Sequence, residues 1–430
     1  MNNQDIYVSL DIGTSGVRVI IGEMSDGSLK VMGVGNASSE GIKRGAIVDI
    51  DETVKSIRRA VEQAERMVGL TVEQVIVGVN GNHIQLQPCS DVVAVSSPDR
   101  EIGDEDIERV IDAAQVVAIP PDREIIDVIP NQFIVDGQEG INDPRSMLGV
   151  RLEMEGYIIT GSKTALHNLL RCVERAGLEV ADICLQPLAA GAVAISKDEK
   201  SLGVALVDIG GGSTTVSVFQ HGSLQTTSVL PVGGEHITHD ISVGLRTTAE
   251  EAERVKVEHG HAYIDGASDE VTFQMKTIGS DVEEEYSQFD IAHVIEPRME
   301  EIYELVEDEV RKLGFSDLPG GYVLTGGSVM IPGALELARE VLKHNVRIAV
   351  PDYIGVREPR FTTGIGLIEF AYRNVKIQGK EVAASVTVKE EHELQERSAR
   401  RKKAPKQQEE ETDKPGVKQK VRNFFKVFFE

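Results

Sequence analysis

Two short glycine-rich turns, each headed by an aspartate, constrain the fold of this chain more than any other feature. The first spans residues 11–16 (DIGTSG), and the second spans residues 208–214 (DIGGGST), 197 residues further along. Each turn lies between two apolar, β-prone stretches, and each is followed by a second tight turn, a third strand and a helix. This repeated order predicts a duplicated α/β unit rather than a solenoid of short repeats.

The two turns have the composition of phosphate-binding loops. Glycine permits backbone conformations in which consecutive N–H groups converge on an anion. Either turn alone is equally well explained as an ordinary hairpin, whereas the pair favours a polyphosphate held between two halves of the molecule. Four side chains would add hydroxyl donors: Thr14, Ser15, Ser213 and Thr214.

Charged residues at the turns point to a bound cation and to the terminal phosphates. Asp11 and Asp208 each end a predicted strand, and Mg²⁺ prefers a few carboxylates together with water and phosphate oxygens. Arg18, on the strand after the first turn, would place positive charge near the phosphates.

Two further elements suit the remainder of a nucleotide. Gly326, Gly327 and Ser328 follow a strand, and bare glycine backbone would let an adenine ring lie close; the alternative is a tight strand-to-helix turn. Glu253 and Lys256 are three residues apart on one helix face and could bracket ribose and base; the alternative is a solvated ion pair.

Composition excludes several classes of protein. The formal net charge of −25 argues against a body that binds nucleic acid, which needs a basic surface. Three cysteines without a close pair exclude a disulfide scaffold and a structural zinc site. No secretory signal is visible at the N-terminus, and no apolar run approaches the length that spans a bilayer.

The last residues form a separate feature. Residues 379–416 lose apolar periodicity and predict a disordered linker. Residues 417–430 predict a short amphipathic helix that lies on an anionic membrane; the alternative is a helix docked on its own core or on a partner. The apolar face and its basic edge comprise Val417, Lys418, Val421, Arg422, Phe424, Phe425, Phe428 and Phe429.

Several motifs together resemble known families. The order DIGTSGVR, DIGGGST, AERVK, VLTGGSVMIPG resembles the actin-like ATPase superfamily of actins, sugar kinases and DnaK-type chaperones. Further phrases resemble the FtsA family of bacterial cell-division proteins, across about residues 5–375 and the C-terminal tip. These phrases are GIKRGAIVDID, VNGNHIQ, DPRSMLGVRLE and LPVGGEHITHDISVGL.

The resemblance implies a two-lobed actin-like fold, an α/β architecture in which each lobe carries a five-stranded mixed sheet. It implies a first lobe (residues 1–81 and 162–200), an inserted α+β subdomain (82–161) and a second lobe (201–378). ATP and Mg²⁺ would lie between the lobes, with Gln186 orienting the attacking water beside Asp11 and Asp208. The implied nucleotide contacts are Gly13, Thr14, Ser15, Arg18, Gly210, Gly211, Gly212, Ser213, Thr214, Gly234, Glu253, Lys256, Gly326, Gly327 and Ser328.

One departure from the family pattern concerns the first turn. Gly16 and Arg18 stand where many relatives carry lysines. Arginine keeps the charge but not the point geometry of a lysine, so the phosphate contact would differ in detail. The family also implies slow ATP hydrolysis at most.

The resemblance further implies partners and a location. The chain would polymerise, bind the C-terminal tail of the tubulin-like protein FtsZ, and recruit later division proteins through the inserted subdomain. It would lie at the division site on the cytoplasmic face of the membrane. Arg298 is the candidate FtsZ contact; the alternative is a helix ion pair with Glu301. A small-molecule kinase and a pilus-assembly relative on the same fold are the alternative functions.

Overall fold

The computed structural model describes residues 5–25, 27–279, 283–378 and 386–388. The chain begins with the three predicted strands and the predicted helix. The first elements are β1 (Asp5–Ile12), β2 (Gly16–Ser25), β3 (Ser28–Ser38), β4 (Ile42–Lys43), β5 (Ala46–Ile47), α1 (Ile50–Val68), β6 (Leu70–Val72) and β7 (Gln74–Val79).

Helix α1 shows how the local sequence sets an element. Asp49 caps its start, with Oδ1 accepting from the Glu52 N–H at 3.1 Å, and Gly69 ends it in the left-handed conformation. Its apolar stripe packs against the sheet, and Gly35 allows the close approach because a Cβ there would lie 1.8 Å from the Ala60 carbonyl oxygen.

The inserted subdomain is a four-stranded antiparallel sheet with one helix. Its elements are β8 (Gln85–Ala94), α2 (Asp104–Ala114), β9 (Arg123–Val135), β10 (Gln138–Ile141) and β11 (Arg151–Ser162), and the strand order is β10-β9-β11-β8. Strand β8 was not predicted from the sequence. It is an edge strand, where a proline such as Pro88 is tolerated.

The remaining elements complete both lobes. They are α3 (Lys163–Arg175), β12 (Glu179–Leu185), α4 (Gln186–Ala194), α5 (Lys197–Leu202), β13 (Val204–Ile209), β14 (Thr214–Gln220), β15 (Ser223–Leu230), α6 (Gly234–Gly244), α7 (Ala249–His259), β16 (Thr272–Lys276), β17 (Glu283–Ser287), α8 (Gln288–Lys312), β18 (Tyr322–Thr325), α9 (Ala334–Leu342), β19 (Val346–Ile348), α10 (Thr362–Gln378) and β20 (Val386–Val388).

The sheet topology confirms the predicted duplication. The first lobe has the order β3-β2-β1-β7-β12 and the second has β15-β14-β13-β18-β19. In both, the first three strands form an antiparallel meander, and the other two join parallel to the first strand. The carboxyl ends of β1 and β13, where the aspartates stand, therefore occupy equivalent places in the two sheets.

The C-terminal region differs from the linker prediction at one place. Residues 386–388 form β20, which pairs antiparallel with β6. The backbone partners offered by β6 outweigh the polar composition around these three residues. The rest of residues 379–416, and the membrane-binding tip at 417–430, lie outside the described residues. Within the part of the chain that is described, no helix has the length and apolar character to cross a membrane.

Candidate functional site

The two aspartate-headed turns have the same local geometry. In the first, the Gly13 N–H donates to the Gly16 carbonyl at 3.0 Å, and in the second the Gly210 N–H donates to the Ser213 carbonyl at 3.0 Å. Each turn joins the central strand of its sheet to the neighbouring antiparallel strand. The duplication predicted from the sequence therefore extends to individual hydrogen bonds.

The turns face one another across the interface between the lobes. A Cβ on Gly211 would lie 1.5 Å from Ser15 Oγ, and a Cβ on Gly212 would lie 2.6 Å from Thr14 Cγ2. Ser15 Oγ also donates to Glu235 Oε1 of the second lobe at 3.2 Å. Glycine is therefore required in the second turn because a side chain would occupy the space of the first.

A cavity of about 940 Å³ lies where the turns converge. This volume is within the usual range of small-molecule and cofactor sites. Its walls come from both lobes and include most of the residues singled out in the sequence. Those residues are Asp11, Gly13, Thr14, Ser15, Arg18, Gln186, Asp208, Gly210, Gly211, Ser213, Gly234, Glu253, Lys256, Gly326, Gly327 and Ser328.

The two aspartates form the electrostatic centre of the cavity. Gln186 Nε2 donates to Asp11 Oδ1 at 2.9 Å, Arg18 Nη1 lies 3.5 Å from Asp11 Oδ2, and Thr363 Oγ1 donates to Asp208 Oδ2 at 3.3 Å. Burial raises the pKa of Asp11, and Arg18 partly offsets this rise. Burial together with the charge of Asp11 raises the pKa of Asp208 to about 6.

This arrangement fits a hard divalent cation. The buried carboxylate of Asp11 faces the partly buried carboxylate of Asp208, and among the described residues the charge of Arg18 lowers the pKa of both. Among the described residues, no group of three or more His, Cys, Asp or Glu side chains could hold a metal by itself. A Mg²⁺ ion here would take water and phosphate oxygens as its remaining ligands, as this ion usually does.

The glycines after β18 adjoin the second turn. Gly326 has φ +96°, and a Cβ there would lie 2.4 Å from Asp208 Oδ1. Ser328 Oγ donates to the Gly210 carbonyl at 2.9 Å, and a Cβ on Gly234 would lie 2.5 Å from Ser328 Oγ. The third glycine element therefore packs on the second turn and forms a wall of the same cavity.

Lys256 and Glu253 form an ion pair that is buried at the lysine and half exposed at the glutamate. Lys256 is buried, and its Nζ donates to Glu253 Oε2 at 2.6 Å, to Thr238 Oγ1 at 2.8 Å and to the Gly234 carbonyl at 3.1 Å. Both residues line the cavity. The helix ion pair of the alternative is therefore present, but its lysine is withdrawn from solvent and the pair forms part of the cavity wall.

Two predicted residues lie behind the cavity surface, and other contributors were missed. Thr214 is fully buried and donates its hydroxyl to the Val232 carbonyl at 2.8 Å, so the prediction of a free phosphate donor there is wrong. Gly212 packs on Thr14. Glu235 and Thr363 were not predicted, since each reaches the turns from a distant segment; the only local signal is the position of Glu235 beside Gly234.

Arg298 lies on α8, away from the cavity lining. Its Nε contacts Asp240 Oδ2 at 2.5 Å and its Nη2 contacts Asp240 Oδ1 at 3.2 Å, so the guanidinium ties α8 to α6. It also pairs with Glu301, as the alternative to partner binding predicted.

Comparison with known proteins places this geometry in a family. The family described as "Cell division protein FtsA" matches residues 205–366, and the "SHS2 domain inserted in FTSA" matches residues 81–160. The FtsA of Bacillus subtilis is 62% identical over 382 residues, which are 89% of this chain and 87% of that protein. The chain belongs to the FtsA family.

More distant members and solved structures agree with this assignment. The FtsA of Pseudomonas aeruginosa is 42% identical over 85% of this chain and 89% of its own length. A PilM-PilN type IV pilus biogenesis complex has a TM-score of 0.58 at 16% identity, covering 86% of this chain and 98% of that chain. MreB5 of Spiroplasma citri bound to ADP has a TM-score of 0.53 at 14% identity, covering 86% and 97%. These structures share the actin-like fold, whereas the FtsA sequences identify a cell-division protein.

The raised pKa of Asp208 predicts a pH-dependent cost in stability for this FtsA family member. The folded protein holds the Asp208 proton more tightly than the unfolded chain does, so ionisation destabilises the fold as the pH rises from about 4 to about 6. Asp208→Asn should raise the free energy of unfolding at pH 7 by about 2 kcal/mol. Urea denaturation in EDTA without nucleotide measures this difference.

The gain in free energy of unfolding from Asp208→Asn should shrink as the pH falls from about 6 towards 4, because the wild-type carboxylate then takes up a proton. The matched control is Asp352→Asn, an exposed carboxylate paired with Arg357. A variant no more stable than the wild type at pH 7 would contradict the assignment of buried, mutually repelling carboxylates.

Proposed function

We propose that this protein binds ATP with Mg²⁺ between its lobes and polymerises as the membrane anchor of the FtsZ ring. The observation that carries the proposal is the cavity in which two glycine turns face each other beside the aspartates that head them, Asp11 and Asp208. A triphosphate is the ligand that uses both turns at once, because each turn presents backbone N–H groups to one anionic group.

Different parts of the cavity wall would contact the phosphates, the base and the ribose of the nucleotide. The turn N–H groups and hydroxyls hold the phosphates, and Arg18 supplies positive charge. The glycine backbone after β18 lies against the base, and the Glu253–Lys256 pair lies on the ribose side. The residues proposed for these contacts are Gly13, Thr14, Ser15, Arg18, Gly210, Gly211, Ser213, Gly234, Glu253, Lys256, Gly326, Gly327 and Ser328.

The aspartates and Gln186 are proposed to act at the terminal phosphate. Bound Mg²⁺ would neutralise phosphate charge, with Asp11 and Asp208 holding it through water. The Gln186 amide donates to Asp11, which leaves its Oε1 as an acceptor for a water proton. Because this amide is a weak base, we expect at most slow hydrolysis, with the nucleotide acting mainly as an assembly cofactor.

The same fold in MreB5 of Spiroplasma citri has been solved with ADP and with AMPPNP, which supports an adenine nucleotide as the ligand. Family membership supports assembly with copies of itself and with other division proteins. We place later division proteins on the inserted subdomain. The amphipathic tip, residues 417–430, would hold the polymer on anionic lipid at the cytoplasmic face of the division site, and many copies would add avidity.

Binding of the FtsZ tail is proposed to involve Arg298. Arg298→Glu should weaken binding of a fluorescent FtsZ C-terminal peptide at least 10-fold in an anisotropy titration, because an acidic group would replace a charge-assisted donor. The control is Arg311→Glu on the same helix, which pairs with Glu307 and Asp308.

A second variant separates contact from structure. Asp240→Asn loosens the bridge to α6 but keeps the guanidinium, so the peptide should bind as tightly as it does to the wild type. Equal loss in Arg298→Glu and Asp240→Asn would show that the bridge, rather than contact with the peptide, matters.

A further inference from the structure

The segment of residues 80–83 leads from the first lobe into the inserted subdomain and is also bonded to the second lobe. Asn80 Nδ2 donates to Thr215 Oγ1 at 2.6 Å. Asn82 makes two bonds to one residue: its Nδ2 donates to the Val229 carbonyl at 2.8 Å, and its Oδ1 accepts from the Val229 N–H at 2.9 Å. An asparagine amide can do this because it carries both donors and an acceptor.

All three bonds fall on one position of the second lobe. Thr215 and Val229 are directly opposite each other in the β14–β15 ladder. Thr215 follows the second aspartate-headed turn and lines the same cavity. The two asparagines therefore hold the β14–β15 hairpin, whose first strand begins where this turn ends, next to the proposed phosphate site.

The other end of the segment is fixed to the inserted subdomain. The His83 carbonyl accepts from Arg123 Nη2 at 2.9 Å. Arg123 also donates to the carbonyl of Thr160 at 2.9 Å and to its hydroxyl. Arg123 begins β9 and Thr160 lies near the end of β11, where the subdomain joins the first lobe. The backbone of residues 80–83 thus links the hydrogen bonds at the cavity edge to those at the base of the inserted subdomain.

We propose that Asn80 and Asn82 form a clamp that couples closure of the lobes to the position of the inserted subdomain. Opening the lobes breaks all three bonds and frees the segment that leads into β8. Coupling of this kind is reciprocal: a ligand that closes the cleft fixes the subdomain, and a partner that fixes the subdomain favours closure. The nucleotide part of this inference rests on the proposed ATP site.

Pulsed electron spin resonance on the full chain tests the clamp. Spin labels at Glu139→Cys in the inserted subdomain and Glu300→Cys in the second lobe report the distance between them, in a Cys89→Ser background; the other cysteines, Cys172 and Cys184, are buried. Without nucleotide, the double variant Asn80→Ala/Asn82→Ala should give a distance distribution at least twice as broad as that of the parent. Asn142→Ala, an exposed amide in the inserted subdomain, should match the parent.

Measuring nucleotide binding distinguishes failure of the clamp from failure of the proposed function. The double variant Asn80→Ala/Asn82→Ala should bind Mg·ATP 3–10-fold more weakly, because its lobes are no longer held closed before the nucleotide binds. ATP should also narrow its distribution of label-to-label distances less than it narrows that of the parent. A double-mutant cycle of Asn80→Ala with Thr215→Val should show that the two effects are not additive. Parent-like distance distributions in the clamp variant overturn the inference. If the parent does not bind ATP, the proposed function fails, and the nucleotide-free distributions still decide whether the clamp exists.

Discussion

Deleting residues 417–430 should abolish sedimentation of the protein with anionic vesicles. The predicted helix puts two valines and four phenylalanines on one face and basic residues along its edges. Four phenylalanines at roughly 1.5–3 kcal/mol each when fully buried, and basic residues at about 1 kcal/mol each, give enough free energy for reversible binding even when burial is partial. Vesicle co-sedimentation with increasing fractions of anionic lipid measures the effect.

Point variants distinguish the apolar face from the rest of the tip. Phe424→Ser/Phe428→Ser should reduce sedimentation nearly as much as the deletion does. Asn423→Ser, which lies on the opposite side of the predicted helix, should leave it unchanged. Unchanged sedimentation of the deletion variant with anionic vesicles would refute membrane binding through this segment.

Asp208→Ala should weaken ATP binding in the presence of Mg²⁺ by 10–100-fold. Residues that act on a metal through its outer shell typically contribute this much to affinity. The loss should not come from unfolding, because removing a carboxylate whose pKa is raised relieves a destabilising charge. Calorimetric titration of the full chain with ATP and Mg²⁺ gives the ratio of affinities.

An exposed aspartate provides the control for this measurement. Asp352 is largely exposed and pairs with Arg357 on the surface, so Asp352→Ala should bind ATP like the wild type. Wild-type affinity in Asp208→Ala would remove this carboxylate from the site.

The features that the sequence predicted are those set by local chemistry. Glycines and aspartates at strand ends predicted both turns, and the spacing of apolar residues predicted α1. Gln186 was assigned through the family resemblance, and its contact with Asp11 spans 175 residues.

The features that were missed depend on tertiary contacts. Strand β8 is half exposed and contains Pro88, so its pairing with β11 decides its structure. Thr214 is the first residue of β14, and alternation along the strand turns its side chain inward, whereas Ser213 just before it faces the cavity. Thr363 and Asn82 reach their partners across 155 and 147 residues, and neither partner could be identified from the local sequence.

The central claim is that the two aspartate-headed turns meet around one nucleotide, and a reversible cross-link tests it directly. A Cβ at residue 211 would lie 2.8 Å from Ser15 Cβ, so a small opening gives the spacing of about 3.8 Å between Cβ atoms in a disulfide. The variant is Ser15→Cys/Gly211→Cys with Cys89→Ser. The control pair is Ser28→Cys/Ser223→Cys, at the far ends of the two hairpins.

The decisive measurement is Mg·ATP affinity of this one protein in its oxidised and reduced forms. Our account predicts that oxidation links residues 15 and 211, that the linked protein no longer binds ATP because the turns are locked together, and that reduction restores binding. The control pair should form no cross-link within the molecule. The claim that the two turns meet around one nucleotide would be contradicted if residues 15 and 211 failed to link. It would also be contradicted if the linked and reduced forms bound ATP with equal affinity.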